Sequence, residues 1–406
     1  MQNGRERDYT AYLSERGNRA GDALITDPTA SARYISFIYG FPDSDSLPAP
    51  SIIETTTQVL TDNPVCSLQY GAVNGPAPIR EAILAKLARD QGIVASMDEI
   101  LITAGSSQAI QLVVQLLCNP GDTIVAESPT FLGFFDDVTN SGATIAAVPV
   151  DDHGMRVDIL EETLAGLKAD GKRVSLIYVL PNFQNPTGVC TSEDRRQRIV
   201  DLASEYDTLI VEDDAYFDLR YDGKQLPTIY SLDHEGRTLY LGTLSKTLAA
   251  GFRIGWAVAP VSLIRRLAAL KTDGGTNIFG SHIAAAWLPE HFQSHVSELR
   301  SIYGARRDLM LQALEKYMPE GSSWSVPEGG FFVWLTLPEG VDSGPMLAQA
   351  RELGIEYLPG SACFFDHSGA NAIRLSFSFA HDDVIDEGIR RLSGLVRSEM
   401  KETAPA

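Results

Sequence analysis

Leu209-Ile210-Val211-Glu212-Asp213 is an apolar run that closes on two acids, and Thr243-Leu244-Ser245-Lys246 ends 33 residues after Asp213. Arg253 follows Lys246 by seven residues. The first run decides the fold when it is taken with its neighbours. From about residue 98 to 260, short apolar runs alternate with helical periodicity. Glu99-Ile100-Leu101-Ile102-Thr103 reads as a strand and Ala104-Gly105-Ser106-Ser107 as a turn. Ile110, Val113, Val114 and Leu117 then share one helical face. Further strands read at 122–126, 144–148, 174–179, 208–211, 238–241 and 254–258, with a helix over roughly 192–206. Continuous apolar strands between helices imply an α/β fold with a mostly parallel sheet covered by helices on both faces. Such open sheets bind ligands beyond the carboxyl ends of their strands, where Asp213 and Lys246 fall.

Beyond about residue 290 the pattern changes. A long charged helix is expected near His295 to Tyr317, followed by a strand pair around Gly330–Leu335 and Ala372–Phe377. These read as a smaller α+β unit. The first ~30 residues, rich in Arg, Gly and Asp, are expected to form a mobile arm.

Composition bounds the partners. The 406 residues carry 33 Lys plus Arg against 53 Asp plus Glu, a net charge of −20 that repels nucleic acid and anionic lipid. The polar start has no signal-peptide pattern, and no run approaches the ~18 apolar residues of a membrane span. Cys66, Cys118, Cys190 and Cys363 are widely spaced, so free thiols in a reducing cytoplasm are expected, with no metal site.

The chemistry lies in four places. A Lys that forms an imine, an acid for a pyridinium nitrogen and an Arg for a phosphate are what pyridoxal phosphate chemistry needs. Gly105-Ser106-Ser107-Gln108 opens a helix whose first N–H groups suit an anion. Arg374, in Ala372-Ile373-Arg374-Leu375-Ser376, interrupts an apolar strand, an expensive place for an unpaired charge. Pro181-Asn182-Phe183-Gln184-Asn185-Pro186-Thr187-Gly188 precedes the Asp, Lys and Arg in order.

From about Ile35 to Ala380, these motifs together resemble the fold-type I pyridoxal-phosphate enzymes, in the class I/II aminotransferase branch near aminoadipate and aromatic aminotransferases. The resemblance implies an aminotransferase that moves the amino group of an L-α-amino acid to a 2-oxo acid through an internal aldimine on Lys246. Lys246 would also move the proton between the substrate α-carbon and the cofactor. Asp213 would face the pyridine nitrogen, with Tyr216 and Asn185 donating to the phenolic oxygen. Ser106, Ser107, Gln108, Thr243, Ser245 and Arg253 would hold the phosphate, and Phe131 would stack on the ring. Arg374, assisted by Asn185, would grip the substrate carboxylate, near Gly40 and Tyr39. Tyr70 would reach the phosphate of a partner subunit, which makes a homodimer. The implied organisation is 1–50 as arm and N-terminal segment of the small domain, 51–290 as the large cofactor-binding domain and 291–406 as the small C-terminal domain.

Two stretches depart from the family pattern. Ser36-Phe37-Ile38-Tyr39-Gly40-Phe41-Pro42 has bulky residues where relatives have small ones, which narrows or reshapes the side-chain pocket. Lys271-Thr272-Asp273-Gly274-Gly275-Thr276-Asn277 also differs. The first departure leaves elimination, replacement, cyclisation or oxidation on the same cofactor as the alternative. A transcriptional regulator built on this fold is opposed by the acidic charge and by the ~34 residues ahead of the matched region.

Overall fold

The computed structural model describes residues 9–20 and 33–403. In chain order its strands are β1 Ile35–Ser36, β2 Ile100–Thr103, β3 Thr123–Ser128, β4 Thr144–Asp151, β5 Gly154–Met155, β6 Val174–Val179, β7 Leu209–Asp213, β8 Thr238–Thr243 and β9 Gly255–Val258. Then come β10 Ser323–Trp324, β11 Phe332–Thr336, β12 Ile355–Glu356, β13 Leu358–Pro359 and β14 Ala372–Ser376.

Eight strands form one sheet in the order β2-β9-β8-β7-β6-β3-β4-β5. The run from β8 through β4 is parallel, as expected from its apolar strands. β9 is antiparallel to both its neighbours, β2 and β8. The connection from β8 to β9 holds Lys246 and only a short turn at Ala250–Phe252. A parallel return needs a crossover of a dozen or more residues, so the chain doubles back instead.

Alternate residues of each strand feed opposite faces. Leu101, Ile124, Leu176, Tyr178, Val211 and Leu239 pack with the helix Gly105–Leu117. On the other face, Val125, Ile177, Val179 and Ile210 meet the helices Val157–Ala169 and Glu193–Glu205. The helical face expected from Ile110, Val113 and Val114 is buried, while Leu117 is half-buried at its end.

A second sheet, β10-β11-β14-β13, is antiparallel, and β1 pairs in parallel with β12. The N-terminal segment at Ile35 thus lies beside the C-terminal one at Ile355. The expected charged helix begins much earlier than His295, running over Ile278–Tyr317 and through the 290/291 boundary. Its first part is rich in Ala, Ile and Trp rather than charge, and Pro289 inside it removes one backbone bond without ending it. Of the expected arm, residues 1–8 and 21–32 lie outside the described residues. The described part forms a short helix, Glu15–Arg19, from which Arg19 donates to the Asn140 carbonyl at 3.3 Å.

Candidate active site

The carboxyl ends of the parallel strands gather the expected chemistry. β7 ends at Asp213, buried, whose Oδ2 accepts a 2.7 Å hydrogen bond from the Tyr178 hydroxyl on β6. Tyr178 pairs with Val211 across the two strands, so Asp213, two residues on, shares its face. The other oxygen, Oδ1, is buried with no hydrogen-bond partner among the described residues. Burial pushes the Asp213 carboxyl up to about 6, opposed by Tyr178 and by the Lys246 cation. A carboxylate with one oriented oxygen and one unspent oxygen fits a ring N–H donor.

Lys246 stands just past β8, half-buried, and its Nζ donates to the Gly40 carbonyl at 2.8 Å. The rings of Tyr216 and Phe331 lie 5.8 and 5.9 Å from that nitrogen. Burial lowers its pKa to about 8, helped by the Arg374 and Arg253 charges and opposed by Asp213. An amine with its pKa lowered in this way is neutral in part near neutral pH, the form that can attack a carbonyl or carry a proton. Gly40 has no room for a side chain, since a Cβ there would come 2.6 Å from the Phe332 ring and 3.7 Å from the Tyr216 hydroxyl. Tyr216 is buried, and burial raises its phenol.

Arg374 is the second cation. It lies on β14 opposite Trp334 of β11, 6% exposed. Nη1 donates to Asn185 Oδ1 at 2.9 Å and Nη2 to the Ile38 carbonyl at 2.6 Å. Nε is buried with no partner among the described residues, and the guanidinium stands 4.3 Å from the Phe332 ring centre. Among the described residues, no carboxylate lies within ion-pair distance of Arg374. Desolvation lowers its pKa, as for any buried cation without a counter-ion. The Ile38-Tyr39-Gly40 backbone thus holds Arg374 by one end and Lys246 by the other. The Tyr39 side chain stacks on Phe41 at 4.7 Å and meets Phe379 edge-on.

An anion cradle lies at the start of the helix Gly105–Leu117. Gly105 has φ +76°, and a Cβ there would sit 2.6 Å from Arg253 Nη2. Arg253 is exposed, in the left-handed region, and donates to the Ala104 carbonyl at 3.1 Å. Its Nη1 lies 3.5 Å from Ser245 Oγ, and Thr243 Oγ1 bonds Ser245 Oγ at 2.9 Å. Ser106 and Ser107 occupy the first helical turn, where main-chain N–H groups have no helical acceptor. The Gln108 side chain is turned elsewhere: Oε1 accepts from Ala104 N at 2.8 Å and Nε2 donates to Asp273 at 3.3 Å. Phe131 is half-buried just after the β3 end, its ring closing over Gly133. Tyr70 stands apart on the surface of the single chain, 86% exposed.

Sequence reasoning missed Tyr178, Glu127 and Gln184. Tyr178 reads as an ordinary strand aromatic, and only the register of β6 against β7 puts it beside Asp213. Asp273 was inside a stretch flagged as unusual. It binds Lys271 at 2.7 Å, Thr276 at 3.0 Å and Gly275 N at 3.0 Å.

A buried lysine amine, an acid with an unspent buried oxygen and a glycine-lined helix N-terminus beside an arginine stand at the carboxyl ends of the parallel strands, a donor set whose chemistry fits a phosphorylated pyridine aldehyde. The family model for aminotransferase class I and II matches residues 36–392, and the chain belongs to that family. It is 41% identical over 401 residues to aromatic-amino-acid aminotransferase 1 of Thermococcus litoralis, covering 97% of this chain and 96% of that protein. The multiple substrate aminotransferase of Thermococcus profundus superposes with a TM-score of 0.92 at 40% identity, over 98% and 100% of the two chains. Kynurenine aminotransferase of Pyrococcus horikoshii, solved in complex with PMP, KYN and KYA, superposes at 0.91 with 40% identity, over 97% and 98%. The chain is therefore a transferase of amino groups that works with pyridoxal phosphate. Among the described residues, no helix is long and apolar enough to cross a membrane.

Proposed function

We propose that the chain transfers the amino group of an aromatic L-α-amino acid to a 2-oxo acid, with Lys246 as the lysine that carries the cofactor. When bound, pyridoxal phosphate supplies an aldehyde that captures amines and a ring that draws electrons from the substrate α-carbon. The observation that carries the assignment is Arg374, a buried guanidinium that among the described residues has an unspent Nε and no counter-ion, tied through three residues of backbone to Lys246. A carboxylate at Arg374 puts the α-carbon of an amino acid within the reach of the Lys246 amine. Lys246, with its pKa near 8, then takes and returns the proton at that carbon.

The family resemblance and the positions of these residues at the strand ends support the other roles. Asp213 Oδ1 would accept the pyridine N–H, with Tyr178 holding the carboxylate in orientation. Asn185 keeps Arg374 in place through Oδ1, and its amide N–H₂ is left for the cofactor's phenolic oxygen, as is the Tyr216 hydroxyl. Ser106, Ser107, Gln108, Thr243, Ser245 and Arg253 would hold the phosphate, Gln108 through its main-chain N–H. Phe131 takes the ring face. The aromatic preference is supported by the walls at Tyr216, Phe331 and Phe332 and by the names of the aromatic and kynurenine relatives. Tyr39, in its stack with Phe41, shapes that side of the pocket.

The proposed assembly is a homodimer. Ile53, Val65, Leu68 and Tyr70 are exposed in the single chain, an apolar run that a second copy would cover. Tyr70 then reaches the partner's phosphate. The proposed units are 51–290 for the cofactor and 291–406 with the N-terminal segment 1–50, joined by the helix Ile278–Tyr317. The four free thiols suit the cytoplasm. Specificity constants for phenylalanine, tyrosine, tryptophan and kynurenine against alanine, aspartate and 2-aminoadipate test the substrate class. A preference for the aromatic donors of roughly 10-fold or more is expected, and a preference for an acidic donor overturns it.

A further inference from the structure

Gln184 and Glu127 lie behind the site, each 1% exposed, and neither has a part in the roles above. β3 and β6 are parallel neighbours, and their ladder pairs last at Ala126 and Tyr178. Past that point the chains separate, one toward Phe131 and the other toward Asn185. Side chains continue the pairing where the backbone stops. Glu127 Oε2 accepts from Leu180 N at 3.0 Å and from Gln184 Nε2 at 3.4 Å. Gln184 Nε2 also donates to the Pro129 carbonyl at 2.7 Å. Its Oε1 accepts from Thr187 N at 3.0 Å and from Thr187 Oγ1 at 2.6 Å. Both donors and both acceptor positions of one buried amide are thereby satisfied. The amide ties the loop that leads to Phe131 to the turn that contains Asn185.

We propose that Gln184 is a positioning residue for the transfer reaction. Its carboxamide fixes the Asn185 turn against the Phe131 loop, so that Asn185 meets both Arg374 and the cofactor. The same residue controls the turn's own backbone, accepting from Gly188 N at 2.6 Å and donating to the Val189 carbonyl at 2.8 Å. Glu127 serves as the anchor. Burial pushes its carboxyl up to about 8, so at neutral pH it meets the amide without bringing a full charge near Asp213. No other residue type supplies two donors and two acceptors in a planar group of this length.

This inference rests on the proposed contact of Asn185 with the cofactor and the substrate carboxylate, so Asn185→Ala is measured alongside. The full-length holoenzyme is titrated with pH, and the apparent pKa of the bound cofactor's visible absorbance is read. KM for the amino donor and kcat are measured on the same preparations. Gln184→Leu is expected to raise the absorbance pKa by roughly one unit, the scale of one lost hydrogen bond, in the direction of Asn185→Ala. KM is expected to rise about 10-fold. An Asn185→Ala enzyme with unmoved absorbance and KM refutes the assignment of Asn185 and the inference with it. A shifted Asn185→Ala beside a folded, parent-like Gln184→Leu refutes the positioning role alone. Should Gln184→Leu not fold, Gln184→Glu decides. It keeps the acceptor for Thr187 but places a second carboxyl beside Glu127, and only the protonated pair can still bridge the loops. Its KM relative to the parent is expected to climb as pH rises through the ionisation of that pair, and a pH-independent ratio overturns the proposal.

Discussion

Arg374→Ala is expected to abolish most of the affinity for both substrates while the cofactor stays bound. A guanidinium offers five N–H donors. In the free enzyme one goes to Asn185 and one to the Ile38 carbonyl, which leaves three for a ligand. Nε, already desolvated and unpartnered, gains a bond without further desolvation when a carboxylate arrives. Truncating one partner of a buried, hydrogen-bonded charge pair costs roughly 2–5 kcal/mol. At about 1.4 kcal/mol per decade that is roughly a 30- to 4,000-fold loss. The amino donor and the oxo-acid acceptor share the α-carboxylate, so both KM values rise together. Steady-state kinetics with each substrate varied in turn provides the assay, with the visible absorbance of the cofactor as the control for its retention. Arg374→Lys keeps the charge but not the planar fork, and falls between parent and alanine variant. Unchanged KM values in Arg374→Ala, or a rise for only one of the two substrates, would refute the reasoning.

Lys246→Ala is expected to give a folded protein with negligible turnover, checked by circular dichroism and by oxo-acid formation over hours. In the apoenzyme, the pKa near 8 makes the Lys246 amine reactive far below the ordinary lysine range. The neutral amine is the reactive form, so labelling followed by peptide mass spectrometry should reach half its maximal rate near pH 8. A midpoint above 10 contradicts the buried environment. Asp213→Asn replaces the unspent carboxylate oxygen by a neutral amide and should lower kcat roughly 10²–10³-fold, the scale of losing one preorganised charge-stabilising group. If the proposed homodimer forms through the Ile53–Tyr70 surface, Leu68→Asp shifts the mass in solution from dimer toward monomer and reduces activity in proportion, as read by light scattering at several concentrations.

Strand positions and the chemical residues were legible because each has a local signal. Leu209–Asp213 shows its apolar run and its acids, and Lys246 stands in a motif between two strands. The antiparallel return of β9 has no local signal, since it depends on the short span from Lys246 to Gly255 rather than on the strand's own composition. The helix Ile278–Tyr317 was recognised only in its charged half, because its Ala-rich first turns carry no polar face and contain Pro289. Tyr178, Glu127 and Gln184 were invisible for a different reason. The partner of Tyr178 lies on another strand and those of Glu127 and Gln184 mostly in the loops past β3 and β6, and a one-residue change of register between β6 and β7 would turn Tyr178 away from Asp213. Arg374 was suspected as a charge in an apolar strand. Only the folded chain distinguishes a salt-bridged arginine from one whose partners are an amide and a carbonyl.

The most direct test of the account mixes the holoenzyme with L-phenylalanine in the absence of any oxo acid, and measures the cofactor spectrum, phenylpyruvate and ammonia. The account predicts one equivalent of phenylpyruvate per site, conversion of the cofactor to its amine form, no ammonia, and restoration of the starting spectrum on adding 2-oxoglutarate or another 2-oxo acid. Released ammonia, or several turnovers without an acceptor, would contradict it.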